Sequence, residues 1–451
     1  MRRIPFLVLA LAACGTGETS RTPTPAAQAP HADSVAAAPA PADTTAHVTL
    51  ASRTAPASHA TSTHAASTKS TPAAAASVAA PAAAVMNAPA PAPGKLPVFK
   101  GYDSTTVHRM ADPGIVRGLY VNRWAAQSPK RMRELIAIAD STEVNALVID
   151  MKDEFGLNFE PTDPLVARNA GNAGHVPNLR ALLDTLKAHH IMPIARLVIF
   201  KDSVTARANP EHTIRTADGS EWKDKKGLTW VNPYDKNVWE YNIRVAEEVA
   251  RLGFAEIQFD YIRFPEPYKS LPPQVFPDAN DVPKPVALAN FFRAACPRIH
   301  ALGARCTADI FGLVTSVHGA LEVGQEWEKL APVADVLLPM VYPSHYPHGA
   351  FGLSHPDSEP YTVIDDAISS ARERDQKLGI DDAGHVRPWL QAFTLGSPRY
   401  GPQELAEEKR AVYDAGYDGW VMWNPGSQYE IYVPALERET VSRRKVGVAG
   451  R

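Results

Sequence analysis

Between about Val98 and about Glu439, short apolar stretches alternate with longer stretches of helical period. This alternation constrains the fold more than any other feature of the chain. A helix that returns the chain to the start of the next strand makes the two strands parallel. We read strands at Ile115–Asn122, Ala146–Lys152, Met192–Phe200, Glu256–Phe264, Arg305–Phe311, Val336–Tyr342, Val386–Phe393 and Gly419–Trp423. Helices fall between them, from Ser128 (an N-cap before Pro129), at Asn178–His190, from about Lys236 to Leu252, at Pro285–Leu302, near Gln325, and at Tyr361–Asp375 and Pro402–Ala415. Eight such units in about 340 residues predict an α/β chain folded as a (β/α)8 TIM barrel. A doubly wound open sheet is the alternative. It more often carries a Gly-rich turn after its first strand, and Asn122-Arg123-Trp124 is not one.

The stretch Glu256–Pro265 gives the barrel its inside and outside. Ile257, Phe259 and Tyr261 share one strand phase, and Gln258, Asp260 and Ile262 the other. Bulky apolar groups suit the helical layer, while Gln258 and Asp260 need a polar setting, because burying a lone carboxylate is costly. Phe264-Pro265 stops the strand, which places Asp260 near its C-terminal end, where such barrels carry their chemistry. With that phase inward, Asp150 and Lys152, Arg196, Asp309, Tyr342, Gln391 and Trp423 also point in from the other strands. A barrel filled only for packing would show Val, Ile and Leu there. Convergent polar groups predict a binding pocket.

Several motifs in order resemble a known family: Gly118-Leu119-Tyr120-Val121, Ile149-Asp150-Met151-Lys152-Asp153, Trp230-Val231-Asn232-Pro233, Phe259 to Pro265, and Met340-Val341-Tyr342-Pro343-Ser344-His345-Tyr346. Together they resemble the DUF4015 type of glycoside-hydrolase-like domain. The resemblance implies a TIM barrel related to polysaccharide-processing glycosidases, and fold alone does not give function.

Glycoside hydrolysis usually needs two carboxyl groups, one protonated and one ionised. Asp260 and Asp309 end neighbouring strands, which lie roughly 4.8 Å apart at the backbone. We therefore expect Asp260 as nucleophile or base and Asp309 as the acid, with like charge raising one pKa. Asp150, Asp153 and Glu154 form a second acidic group around Lys152, and any of the three acids could instead partner Asp260. Lys152 is expected to pair with Asp150 or to hold sugar hydroxyls. Arg196 and Arg263 would neutralise a carboxylate or grip an anionic sugar. Gln258, Tyr342, His345, Gln391, Trp423 and Asn424 complete the expected substrate contacts, with Trp124, Trp222, Trp230 and Trp389 on or near the same loops. The insertion Lys201–Asn232, with a turn at Ala217-Asp218-Gly219-Ser220, would form a lid hairpin. His345, His348 and His355 lack metal-ligand spacing, and Gly312, Gly396 and Gly426 lack a phosphate-cradle spacing, so no cofactor or metal is expected.

The flanks predict location. Arg2-Arg3, the apolar run Ile4 to Ala13 and Leu11-Ala12-Ala13-Cys14 read as a lipoprotein-type secretory signal (residues 1–14) with Cys14 lipidated. Residues 15–97 are mostly Ala, Pro, Ser and Thr, a composition that cannot bury enough apolar surface to fold, and read as a disordered tether. The domain then spans 98–440, with a tail at 441–451. A net charge of −3 gives no reason to expect a nucleic-acid partner. The three cysteines are too few for a disulfide framework, and Cys296 and Cys306 could either pair or stay as buried thiols. The expected protein is a lipid-anchored glycosidase of the cell envelope acting on an envelope or extracellular polysaccharide. A catalytically inactive polysaccharide-binding scaffold is the alternative, and a metal-dependent deacetylase ranks last.

Overall fold

The computed structural model describes residues 94–101 and 107–445. The signal segment with Cys14, the tether through residue 93 and the last six residues lie outside the described residues.

The strands are β1 (Arg117–Val121), β2 (Ala146–Asp153), β3 (Gly156–Leu157), β4 (Met192–Val198), β5 (Glu256–Asp260), β6 (Arg305–Phe311), β7 (Val336–Met340), β8 (Trp389–Gln391) and β9 (Trp420–Trp423). The helices are α1 (Arg123–Ala126), α2 (Pro129–Ser141), α3 (Pro164–Ala167), α4 (Leu179–Ala188), α5 (Ser203–Ala208), α6 (Lys236–Leu252), α7 (Lys284–His300), α8 (Trp327–Leu330), α9 (Pro360–Lys377) and α10 (Pro402–Asp414). Hydrogen bonding runs β1-β9-β8-β7-β6-β5-β4-β2, and β2 returns to β1, so eight parallel strands close a barrel. The short β3 pairs antiparallel with β2 as a hairpin on its end. That hairpin needs Gly156: its φ is +104°, and a Cβ there would lie 2.1 Å from the Ala170 carbonyl oxygen.

Local chemistry places the helices. The Ser128 hydroxyl accepts the Arg131 N–H ahead of Pro129, Asp235 caps α6, and Gly253 in the left-handed region ends α6. The outward strand residue Phe259 packs against α7 through Phe291 and Phe292, and Ile257 belongs to the same core cluster. A smaller cluster, including Val148, Ile194, Leu338 and Val421, fills the barrel interior.

Several features differ from the sequence reading. The ladder of β5 stops at Asp260, not Phe264, because Tyr261 takes φ +49° and swings the chain off the sheet. A bulky residue in that region is strained, a feature that clusters at functional sites. The register of β2 against β4 shifts between Asp150 and Lys152, so Lys152 lies opposite Leu197, on the outer face. The folded part begins before residue 98: Leu96 is buried, and the Phe99 N–H donates to Asn237 Oδ1 at 3.1 Å. Residues 441–445 are no free tail, since Ser442 and the backbone N–H groups of Arg443 and Arg444 hydrogen-bond Asp418. Cys296 on α7 and Cys306 on β6 form a disulfide. Residues 214–222 form an antiparallel hairpin with the expected turn at Asp218-Gly219, and a second turn at residues 224–227 brings Thr229 and Val231 back beside Lys223 and Thr213.

Candidate active site

Inward residues of β1, β2, β4, β5, β6, β8 and β9 build one buried cluster around Arg196. Its Nη1 donates to Asp150 Oδ1 at 2.5 Å, and its Nε donates to Asp260 Oδ2 at 2.9 Å, with Nη2 donating to the same oxygen. The guanidinium lies 5.2 Å from the Trp423 ring centroid and 5.5 Å from that of Tyr120. Those two rings stack at 3.9 Å, and Trp389 meets Trp423 edge-on. The Tyr120 hydroxyl donates to Asp150 Oδ2 at 2.5 Å.

Asp309 sits one strand further round. Its Oδ1 accepts from Gln258 Nε2 and from Trp389 Nε1, both at 2.7 Å. Its Oδ2 is buried without a hydrogen-bond partner, 3.9 Å from Arg196 Nε. Arg196 Nε is thus 2.9 Å from Asp260 Oδ2 and 3.9 Å from Asp309 Oδ2, so these carboxyl oxygens lie within 6.8 Å of each other, the sum of the two distances. That range contains the roughly 5–5.5 Å spacing of retaining glycosidases.

Charge follows from the same geometry. Burial, then the negative charge of Asp260, holds the Asp309 carboxyl well above the usual carboxylate range. Burial also pushes Asp150 up to about 6, against the pull of Arg196. One guanidinium cannot balance three buried carboxylates, and Asp309 is the one to which it donates no hydrogen bond. Asp260, by contrast, meets Arg196 through two donors.

The other expected contacts divide. Tyr342 packs at this end of the barrel, near enough to Asp309 and Asp260 that their charges act on its phenol. His345 is held by Ser344 and the rings of Tyr342 and Phe393, and burial lowers its pKa to about 4. Gln391 accepts from the Ser344 hydroxyl and N–H, so it shapes the loop after β7. Arg263 is packed among Trp230, Tyr261 and Phe311 and pairs with Glu266 at 3.2 Å. Glu154 is exposed at the β2–β3 turn, and its charge acts on Tyr120, Lys201 and Tyr261 across the mouth.

Three expected substrate contacts are structural. Lys152 pairs with Asp202 at 2.7 Å and lies over the Tyr241 ring of α6, because the bulge turned it outward. Asp153 is held in a buried fork by Arg123. Asn424 spends Nδ2 on the Ala392 carbonyl and Oδ1 on the Gly426 and Gln428 N–H groups. Trp222 donates to the Pro272 carbonyl and is buried.

Sequence reasoning passed over Tyr120 and ranked Trp389 low. Tyr120 has the inward phase one residue before the end of β1, a signal available from alternation alone. The indole of Trp389 donates to Asp309 across β7, which only closure of the barrel reveals. Among the described residues, no group of three or more His, Cys, Asp or Glu could hold a metal ion. No helix among them is long and apolar enough to cross a membrane.

Residues 118–429 match the family described as "Putative glycosyl hydrolase domain" (DUF4015). No curated protein matches the chain. The glycoside hydrolase domain of PgaB (BpsB) from Bordetella bronchiseptica superposes with a TM-score of 0.52 at 13% identity, covering 73% of this chain and 100% of that one, a likeness of fold. A hypothetical protein from Ruminiclostridium thermocellum is 35% identical over 40% of this chain and 92% of its own, with a TM-score of 0.37. α-L-Fucosidase isoenzyme 2 from Paenibacillus thiaminolyticus shows 14% identity, covering 71% of this chain and 48% of that one, at a TM-score of 0.48.

Proposed function

Since the chain belongs to the DUF4015 family of glycosyl hydrolase domains, we propose that its barrel hydrolyses a glycosidic bond in an envelope or extracellular polysaccharide. The observation that carries this reading is the contrast between two neighbouring carboxyl groups. Asp309 holds its proton more tightly than an ordinary carboxyl, with no hydrogen-bond partner on Oδ2, while Asp260 is ion-paired with Arg196. Paired acids whose surroundings drive them to opposite protonation states divide the acid and base roles. In this reading Asp309 protonates the departing glycosidic oxygen, and Asp260 attacks the anomeric carbon or draws a proton from water. Asp150 and Tyr120 hold Arg196 from the opposite side. The location that goes with this activity is the cell envelope, reached through the signal segment and a lipid on Cys14.

One observation favours a second reading, a silent polysaccharide-binding barrel. Asp150, Arg196 and Asp260 saturate one another, and Asp309 is only 1% exposed, so chemistry requires Arg196 to move as sugar enters. The test is release of reducing ends from cell-wall glycans and from neutral and amino-sugar exopolysaccharides by the parent and Asp260→Asn. We expect turnover by the parent and a loss of at least about a thousandfold in the variant, with binding retained. Binding without turnover in both proteins would replace the hydrolase with the scaffold.

A further inference from the structure

Trp124 and Phe155 sit beside the mouth of the barrel, and the cluster around Arg196 uses neither. Trp124 is 58% exposed and Phe155 37%, and their ring centroids lie 5.7 Å apart. Both stand on the face that carries the polar cluster: Trp124 lies on α1 directly after β1, and Phe155 in the turn after β2. Glu154, next to Phe155, is exposed on the same turn, and its charge acts on Tyr120, Lys201 and Tyr261.

The pair is held rigid from below. Arg123, adjacent to Trp124, forks onto Asp153 and donates to the carbonyls of Gly156, Leu157 and Gly174. Asp153 in turn accepts the Phe155 N–H at 2.9 Å, and the Asn122 side chain caps α1 by accepting the Ala125 N–H. One buried ion pair therefore fixes both aromatic residues. Exposing an indole on a fixed four-residue helix gains the fold nothing, whereas a preorganised aromatic face binds with little further ordering cost.

We propose that Trp124 and Phe155 form a sugar-binding platform, an outlying subsite on which a ring of the polysaccharide stacks as the chain crosses the β2–β3 hairpin towards Asp260. The apolar faces of a pyranose fit an indole, and its hydroxyls reach Glu154, exposed beside Phe155. This inference rests on the chain acting on or binding polysaccharide, and it adds where a long chain lies.

The test compares the full chain with Trp124→Ala and Trp124→Phe on solubilised peptidoglycan, chitosan and galactomannan, and on their two- to four-sugar fragments. Turnover is read by reducing ends, and polymer binding by affinity electrophoresis in an Asp260→Asn background. We expect Trp124→Ala to lower the ratio of long-chain to short-chain kcat/KM by about tenfold, chiefly through KM, and Trp124→Phe to restore most of it. Lost polymer binding by Trp124→Ala in a chain that never turns over would support the platform and remove the hydrolase. Unchanged length dependence and binding, in a parent that does bind or cleave polymer, would overturn the platform alone. A parent that binds none of the three polymers would overturn both.

Discussion

Asp309 and His345 are both buried titratable groups, and burial moves them in opposite directions. Asp309 is raised by burial and by the charge of Asp260, so it holds its proton to a higher pH than an ordinary carboxyl. His345 is lowered to about 4, so its ring is neutral there. For a histidine depressed from 6.5, the unfolded chain binds more protons between pH 6.5 and 4, so stability falls as pH drops through that window. The loss should reach roughly 2–3 kcal/mol by pH 4. Urea unfolding at pH 7 and pH 4 should therefore show a smaller acid penalty for His345→Gln than for the parent. An equal penalty in both would show that the histidine does not act this way. Asp309→Asn keeps an acceptor for Gln258 and Trp389 but has no proton to deliver, so turnover should fall by at least about a hundredfold with the fold intact by circular dichroism.

At the scale of elements, two features tie strands to the helical layer. The bulge in β2 sends Lys152 out to Asp202 and the Val198 carbonyl, beneath α6. Removing one member of a buried pair strands the other, and Asp202→Ala should lower stability by about 3–5 kcal/mol in chemical denaturation. A change below about 1 kcal/mol would mean that water takes the place of Asp202. The disulfide pins α7 to β6, the strand that carries Asp309, across a short loop. The Cys296→Ala/Cys306→Ala double variant should lose about 2–3 kcal/mol, and reduction of the parent should give a similar loss.

For the whole molecule, the candidate site and a stabilising ion-pair network occupy opposite ends of the barrel. The C-terminal ends of β4, β5 and β6 carry Arg196, Asp260 and Asp309, and the segments just beyond β1 and β2 carry the aromatic platform. At the other end Glu143 gathers Arg117, Lys409 and the Glu437 N–H, while Arg117 also donates to the Val441 carbonyl. The C-terminal segment thus seals the end that such barrels use for stability. Truncation after Leu436 leaves Glu143 and Asp418 short of partners and should cost roughly 3–5 kcal/mol in unfolding experiments. Activity per folded molecule should survive, and its loss at full folding would place the site elsewhere.

The sequence by itself determined what depends on neighbours a few residues apart. Period-two alternation marked the strands and the inward phase of Asp260, Asp309, Arg196 and Trp423, and the cap at Ser128 marked a helix start. Asp260 emerged from alternation and a following proline, both local signals. Tertiary structure decided what depends on strands far apart in the chain. One extra residue in β2 reversed the phase of Lys152, and a bulge is set by the partner strand rather than by the bulged segment. Asp153 and Asn424 looked free for substrate because their partners, Arg123 and the Ala392 carbonyl, lie 30 and 32 residues away. The protonation of Asp309 likewise comes from barrel closure, which buries its carboxyl beside Asp260 and leaves one oxygen without a donor. Burial and electrostatic coupling are sums over the whole surroundings of a group, and those surroundings exist only once the chain has folded.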